Sequence, residues 1–234
     1  MSIAAGERDA TPAGDANPDV VALLPAGAAR IVDVGCGKGA MAAAWLARHP
    51  HCDYVGIERD RDLAALARSR ARRVVEADVE RLDDVALASL APVDAWVFGD
   101  VLEHLVDPWT VLARVRDTLA PDGVVVACVP NMQHWSVTAR LVSGELHYEP
   151  AGLLDRTHLR WFTRTTIDAM FRGAGYGITR WVRRVYDAPL RARALAAIGN
   201  FATVIGADAD EAMADADVFQ WVVEARAVRQ EAVE

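Results

Sequence analysis

Ile31-Val32-Asp33-Val34-Gly35-Cys36-Gly37-Lys38-Gly39-Ala40 decides how the rest of this chain is read. It has the pattern of a short apolar strand carrying one acid, a glycine loop, and a helix that opens at Ala40 and runs through Ala47. Glycines at alternate positions remove Cβ where the backbone must turn sharply and let a ligand approach the main chain. The helix that follows points its unpaired N–H groups at that ligand.

Working outward, Pro18 to Leu24 reads as a short helix with Asn17 as its cap and Pro18 at its first position, lying across the mouth of the loop. Downstream, Tyr54–Glu58, Val74–Ala77, Val93–Phe98 and Val124–Val129 read as strands. Helices over 60–70 and 109–119 separate them, and Ala120–Gly123 reads as a turn. Such alternation predicts a doubly wound, mostly parallel sheet with right-handed crossovers, whose ligands sit beyond the carboxyl ends of the strands. Asp33, Glu58, Asp78 and Asp100 each end a different strand there. Four carboxylates on one rim suit a cationic ligand that bears hydroxyls.

Two cofactors fit the loop. Gly35 to Ala40 can be matched to a dinucleotide pattern, with Glu58 downstream for a ribose. That reading, an NAD-dependent oxidoreductase, puts a pyrophosphate beside Asp33, which would repel it. S-adenosylmethionine instead brings a sulfonium and an ammonium, which a carboxylate attracts. The series acid, x, Gly, x, Gly, x, Gly resembles motif I of class I S-adenosylmethionine-dependent methyltransferases. Gly99 to Pro108 and Leu119 to Gly123 resemble the corresponding segments of the family that includes the ubiquinone-type methyltransferases. The resemblance spans Ile31 to about Asn131. It implies a Rossmann-like α/β fold of seven strands with the last strand antiparallel. It also implies that Glu58 accepts the ribose hydroxyls and Asp78 the adenine amine. Asp33 then lies near the methionine end, the backbone of Gly35, Cys36, Gly37 and Gly39 lines the cofactor, and Arg59, Val79 and Asp100 complete its site.

At 234 residues with a net charge of -8, the chain is long enough for one well-cored domain and is poorly suited to wrapping nucleic acid. Three scattered cysteines form neither a disulfide framework nor a zinc knuckle, so a reducing cytoplasm is expected. No apolar run spans a bilayer. Residues 1–17 read as a flexible tail and 18–234 as the catalytic domain, with insertions at about 131–162 and 187–216. The final strands are expected at Tyr176–Tyr186 and Val218–Ala227, paired antiparallel, with Thr163 capping a helix over 164–173. The acidic run Ala207–Asp217 reads as a solvated loop. Leu141–Leu146 and Gly152–Thr163 resemble a subgroup found in surface-polysaccharide and small-molecule pathways.

Methyl transfer is an in-line displacement, so the enzyme must align the acceptor and take its proton. His104, His134, His147 and His158 all fall in segments expected near the mouth, and histidine titrates in the useful range. His158, with Asp155 and Arg156 beside it to orient and tune it, is the leading base and His104 the second. Asp100, Glu103 and His104 are similar to the Glu-x-x-Glu-His group that holds a metal in ubiquinone-type enzymes, but the shorter Asp100 disfavours it, and no metal is assigned. Arg156, Arg160, Arg164, Arg172, Arg180, Arg183, Arg184, Arg191 and Arg193 cluster in the second half, where they either face an anionic acceptor or form a solvated face. The expected partner is a small-molecule or glycan hydroxyl, with a homodimer allowed and a non-catalytic partner subunit as the other reading.

Overall fold

The computed structural model describes residues 16–228, so all but the last two residues of the expected tail lie outside it. The first half alternates as expected: α1 (Pro18–Leu23), β1 (Arg30–Val34), α2 (Ala40–Leu46), β2 (Asp53–Glu58), α3 (Arg61–Ala67), β3 (Arg73–Glu76), α4 (Asp84–Ala88), β4 (Val93–Gly99), α5 (Pro108–Arg116) and β5 (Leu119–Pro130). The second half adds α6 (Trp135–Ser143), α7 (Arg164–Gly173), β6 (Tyr176–Arg184), α8 (Arg191–Val204), α9 (Ala209–Ala216) and β7 (Gln220–Ala227). The seven strands form one sheet in the order β3-β2-β1-β4-β5-β7-β6. β1 to β5 pair in parallel, and β7 runs antiparallel to both β5 and β6.

Period-two alternation divides the central strands between two cores. Val32, Val34, Trp96, Phe98, Val125 and Ala127 face α5 and α7, where Leu112, Val115, Ile167 and Phe171 meet them. Ile31, Tyr54, Ala95, Val97, Val124 and Val126 face α1 and α2, where Val20, Leu23, Ala42 and Trp45 cover them. Because β5 is covered on both faces, Val124–Val129 is apolar throughout.

Local signals act as the residue types dictate. The Asn17 side chain accepts from Asp19 N–H with Pro18 at the first helical position, and Thr163 forms a capping box with Thr166. Ala120–Gly123, expected as a turn, instead bulges within β5: Val93 pairs with Leu119 but Ala95 with Val124.

The insertions are more ordered than the sequence suggests. Segment 131–162 contains α6, and 187–216 contains α8 and α9. The acidic run does not form a solvated loop. Asp208 caps α9, Asp210 and Glu211 lie in its positively polarised first turn, and Asp215 and Asp217 are buried against arginines. No described helix is long and apolar enough to cross a membrane.

Candidate functional site

The glycine loop leaves β1 with its backbone in the left-handed region three times, with φ of 63°, 54° and 79° at Gly35, Gly37 and Gly39. A Cβ on Gly35 would lie 2.7 Å from Val101 Cγ2, and one on Gly39 3.2 Å from Ala67 Cα. The loop is therefore pressed against the segment after β4 on one side and α3 on the other. Gly37 N–H donates to Glu58 Oε2 at 2.9 Å, and Asp60 N–H to Glu58 Oε1 at 2.8 Å, which ties the first two strand ends together.

Two adjoining cavities open here, sharing Gly35, Asp100 and His104. The smaller, about 230 Å³, is lined by Glu58, Arg59, Asp78, Val79 and Asp100. The larger, about 530 Å³, is lined by Asp33, Cys36, Gly37, Lys38, Asp100, Glu103, His104 and His158, with Asn17 and Val20 of the α1 region also in its lining. Of the residues expected at a cofactor, only Gly39 falls outside both linings, and its part is to start α2.

The acids differ in state. Asp33 is 3 % exposed, and burial, reinforced by Glu58, pushes its carboxyl up to about 7 while the hydroxyl of Tyr54, 3.0 Å away, pulls it down. Asp100 has φ of 58° and accepts from Gln220 Nε2. Asp78 accepts from Glu80 N–H, capping a 3₁₀ turn, so one side chain both caps and lines the smaller cavity. Cys36, raised to about 12 by burial and then Asp33, is a neutral thiol.

In the larger cavity, Glu103 is 1 % exposed and neither carboxyl oxygen has a hydrogen-bond partner among the described residues. Burial, and then Asp100, holds it well above the usual carboxylate range. His158 Nε2 lies 4.0 Å from Glu103 Oε1, and its ring meets that of His104 edge-on at 4.8 Å. His158 Nδ1 faces the Leu153 carbonyl at 3.3 Å. Burial and His104 lower its pKa, so the ring is neutral at pH 7. The Glu103 carbonyl accepts from Leu159 and Arg160 N–H, at 2.8 and 3.0 Å, which seats this segment over the site.

These contacts revise several expectations. The Asp155 carboxylate accepts from Thr157 N–H and hydroxyl rather than orienting His158. Neither Asp155 nor Arg156 supplies the orienting contact; the Leu153 carbonyl does. His134 is 2 % exposed, caps α6 through Ser136, and has its pKa pushed down to about 4 by burial, while His147 is exposed; neither lines the cavities. The donor cluster that forms is Glu103, His104 and His158, whose ligating atoms all lie within 4.8 Å of one another; Asp100 is not in it.

None of the nine arginines lines either cavity. Arg164 clasps Asp215 at 2.9 and 3.0 Å, Arg191 clasps Asp217, Arg172 pairs with Asp168, and Arg180 with Glu224. These four are paired with the chain's own acids and are not directed into the cavities.

Tyr54 and Gln220 are site residues that motif reading passes over. Tyr54 carries a signal nonetheless: it shares a strand face with Glu58, with only Gly56 between them, so its phenol must reach under the loop. Gln220 carries none, since it meets Asp100 across 120 residues of sequence.

A methyltransferase domain family model matches residues 10–180. The trans-aconitate 2-methyltransferase of Methylobacterium nodulans is 30% identical over 169 residues, which is 70% of this chain and 64% of that protein. The malonyl-[acyl-carrier protein] O-methyltransferase of Geobacter sulfurreducens is 31% identical over 153 residues, 63% of this chain and 55% of that protein. The chain thus spans a little under two thirds of the first relative and about half of the second. Among solved structures, the magnesium protoporphyrin IX methyltransferase of Synechocystis superposes with a TM-score of 0.58 at 13% identity, covering 90% of this chain and 81% of that one. A Haloferax volcanii putative methyltransferase, solved with the Trm112 activator, gives 0.59 at 18%, covering 91% and 88%. With the family model covering most of its length and the acids placed around a glycine loop, the chain belongs to the class I S-adenosylmethionine-dependent methyltransferases.

Proposed function

We propose that this protein transfers the methyl group of S-adenosylmethionine to a hydroxyl of a small molecule or glycan, with His158 as general base. The observation that carries this reading is a neutral, buried imidazole on the wall of the cavity that also holds Asp33 and the glycine loop. With Nδ1 donating to the Leu153 carbonyl, Nε2 is free to take the acceptor's proton. The acceptor oxygen attacks the methyl carbon, the carbon–sulfur bond breaks, and the sulfonium leaves as a neutral thioether. Glu58 and Asp78 serve the adenosine in the smaller cavity, Asp33 the methionine end in the larger. Burial, with His104 edge-on to it, keeps the His158 ring unprotonated. The three cysteines are all free and buried, in keeping with a cytoplasmic setting.

Thermal melting with S-adenosylmethionine, S-adenosylhomocysteine and NAD(H) in parallel tests the cofactor. At about 100-fold over Kd the adenosyl ligands should add ~2.7 kcal/mol, a rise of roughly 5–10 °C, while NAD(H) adds nothing. Glu58→Ala and Asp78→Ala should each weaken S-adenosylmethionine binding by about 10- to 100-fold, the loss of hydrogen bonds to a charged group. His158→Ala should bind cofactor normally and turn over about 10²- to 10⁴-fold more slowly. Normal binding by the first pair removes the cofactor mapping; normal turnover by the last removes the base, and an absence of turnover with any hydroxyl acceptor favours the non-catalytic partner.

A second reading has one specific observation behind it. The two unpartnered oxygens of buried Glu103, with His104 and His158 beside them, fit a divalent cation better than they fit an empty pocket of hydrogen-bonding groups. Such an ion would supply Lewis acidity to an acceptor oxygen. A chelator should then abolish turnover and Mg²⁺ restore it; chelator-insensitive turnover leaves His158 as base.

A further inference from the structure

We propose that Tyr54 is a positioning residue of the cofactor site: its hydroxyl fixes the Asp33 carboxylate for the positively charged end of the cofactor and makes cofactor affinity depend on one proton. The proposal rests on the S-adenosylmethionine reading above and adds a residue and a linkage to it.

The geometry begins at the register of β1 on β2, where Ile31 stands beside Tyr54 and Asp33 beside Gly56. Gly56 has no side chain, so the phenol of Tyr54 can pass along the strand face to Asp33. Its hydroxyl donates to Asp33 Oδ2 at 3.0 Å. Tyr54 is fully buried among Val20, Ala42 and Trp45, so the ring cannot swing away and water does not compete for the bond. Asp33 reaches the cavity wall while 3 % exposed, and its other oxygen is left for the ligand.

Several titratable groups neighbour Asp33 or share its cavity, Glu103, His104, Asp155 and His158 among the latter. Tyr54 lies beneath it, Glu58 ends the same strand, the neutral Cys36 thiol and Lys38 come from the glycine loop, and Asp100 enters the same cavity from the end of β4. Burial favours the protonated acid and Glu58 adds to that; Tyr54 alone among the hydrogen-bonding neighbours opposes it. A cation bound against Asp33 selects the ionised form, so binding near neutral pH must expel a proton. Removing the Tyr54 hydroxyl strengthens the acid's hold on that proton without touching the cofactor.

Isothermal titration of S-adenosylmethionine into wild type, Tyr54→Phe and Asp33→Asn, each between pH 6 and pH 8.5 and in buffers of different ionisation enthalpy, tests this. The cofactor's own amino group titrates identically in all three arms, so differences among them belong to the protein. Relative to Asp33→Asn, wild type should gain about tenfold in affinity across that range, centred on the Asp33 value of about 7. Tyr54→Phe, with its midpoint displaced upward by about one pH unit, should gain more steeply over the same range, by about 80-fold, and be about fivefold weaker than wild type at pH 7, with more protons released there. A Tyr54→Phe curve that overlies wild type overturns the proposal, as does a uniform loss with no displacement. Should Tyr54→Phe fail to fold, the remaining pair decides: a wild-type profile parallel to that of Asp33→Asn sinks the linkage. Absence of binding by wild type at every pH is a different failure, that of the cofactor reading itself.

Discussion

Side chains are excluded from the loop after β1 at Gly35, where a left-handed backbone meets Val101 head-on. An L-residue there costs about 1–2 kcal/mol in backbone strain alone, before the 2.7 Å contact is relieved. Gly35→Ala should therefore lower the melting temperature by about 5–10 °C and weaken S-adenosylmethionine binding. Adding Val101→Ala should restore part of the stability but little of the binding, because the strain stays; a double-mutant cycle reads the coupling directly. Asp33 makes the opposite trade. Its folded pKa of about 7 lies above its ordinary 3.8, so the native state keeps a proton that the unfolded chain has lost. Stability contributed by this group is whole below pH 3.8 and is lost as pH rises to 7, a cost of about 4 kcal/mol. Asp33→Asn should then melt higher than wild type at pH 8 and close to it at pH 4, while binding cofactor poorly; equal melting at both would show that burial of the charge costs nothing.

Elements meet at Asn131, which is fully buried where β5 ends. Its Nδ2 donates to the carbonyls of Asp215 and Val218 at 2.8 and 2.7 Å, and its backbone bridges Phe162 at the start of α7. One side chain thus ties the segment between β5 and α7 to the turn that carries α9 into β7. Asn131→Ala removes the donor of the Val218 carbonyl and one of two donors to that of Asp215, a loss of about 1–3 kcal/mol. Hydrogen exchange should quicken in both 157–163 and 209–219, yet not in β1 or β2; protection unchanged in either segment would separate them. The sequence made the two insertions visible by their length and by the break in alternation. It did not reveal α9, because an acidic, alanine-rich run is helical or solvated according to whether arginines 26 and 51 residues away turn toward it. Arg164 and Arg191 do.

Over the whole molecule, what was legible and what was not follows chain distance. Asp33, Glu58, Asp78 and Asp100 could be placed on one rim because each sits beside its own strand, and a parallel sheet aligns strand ends without further information. His158 could be named but not oriented: its orienting partner is the main-chain carbonyl of Leu153, which no residue type announces, and its ring neighbours Glu103 and His104 lie more than fifty residues earlier in the chain. The partners of Arg164, Arg183, Arg191 and Arg180, namely Asp215, Asp217 and Glu224, belong to the last segments of the chain and were not legible for the same reason. The cofactor residues proposed above come almost wholly from the first hundred positions and the rest of the larger cavity's wall largely from later ones; on that reading, changes to the second half should alter what is methylated while leaving the methyl donor's seat in place.

The strand order carries a consequence for synthesis. β7 lies between β5 and β6 in the sheet, yet it is the last strand to be made. From the time β5 leaves the ribosome, roughly 90 residues must follow before its antiparallel partner arrives, which at 5–20 residues per second is about 5–20 s. Through that interval the most apolar strand of the protein, Val124–Val129, has one side unpaired. A nascent chain of this kind presents a sticky edge to its neighbours on a polysome. Slow translation past β6, or shortage of a chaperone that covers exposed strands, should therefore limit the yield of this protein more than any weakness in its finished fold.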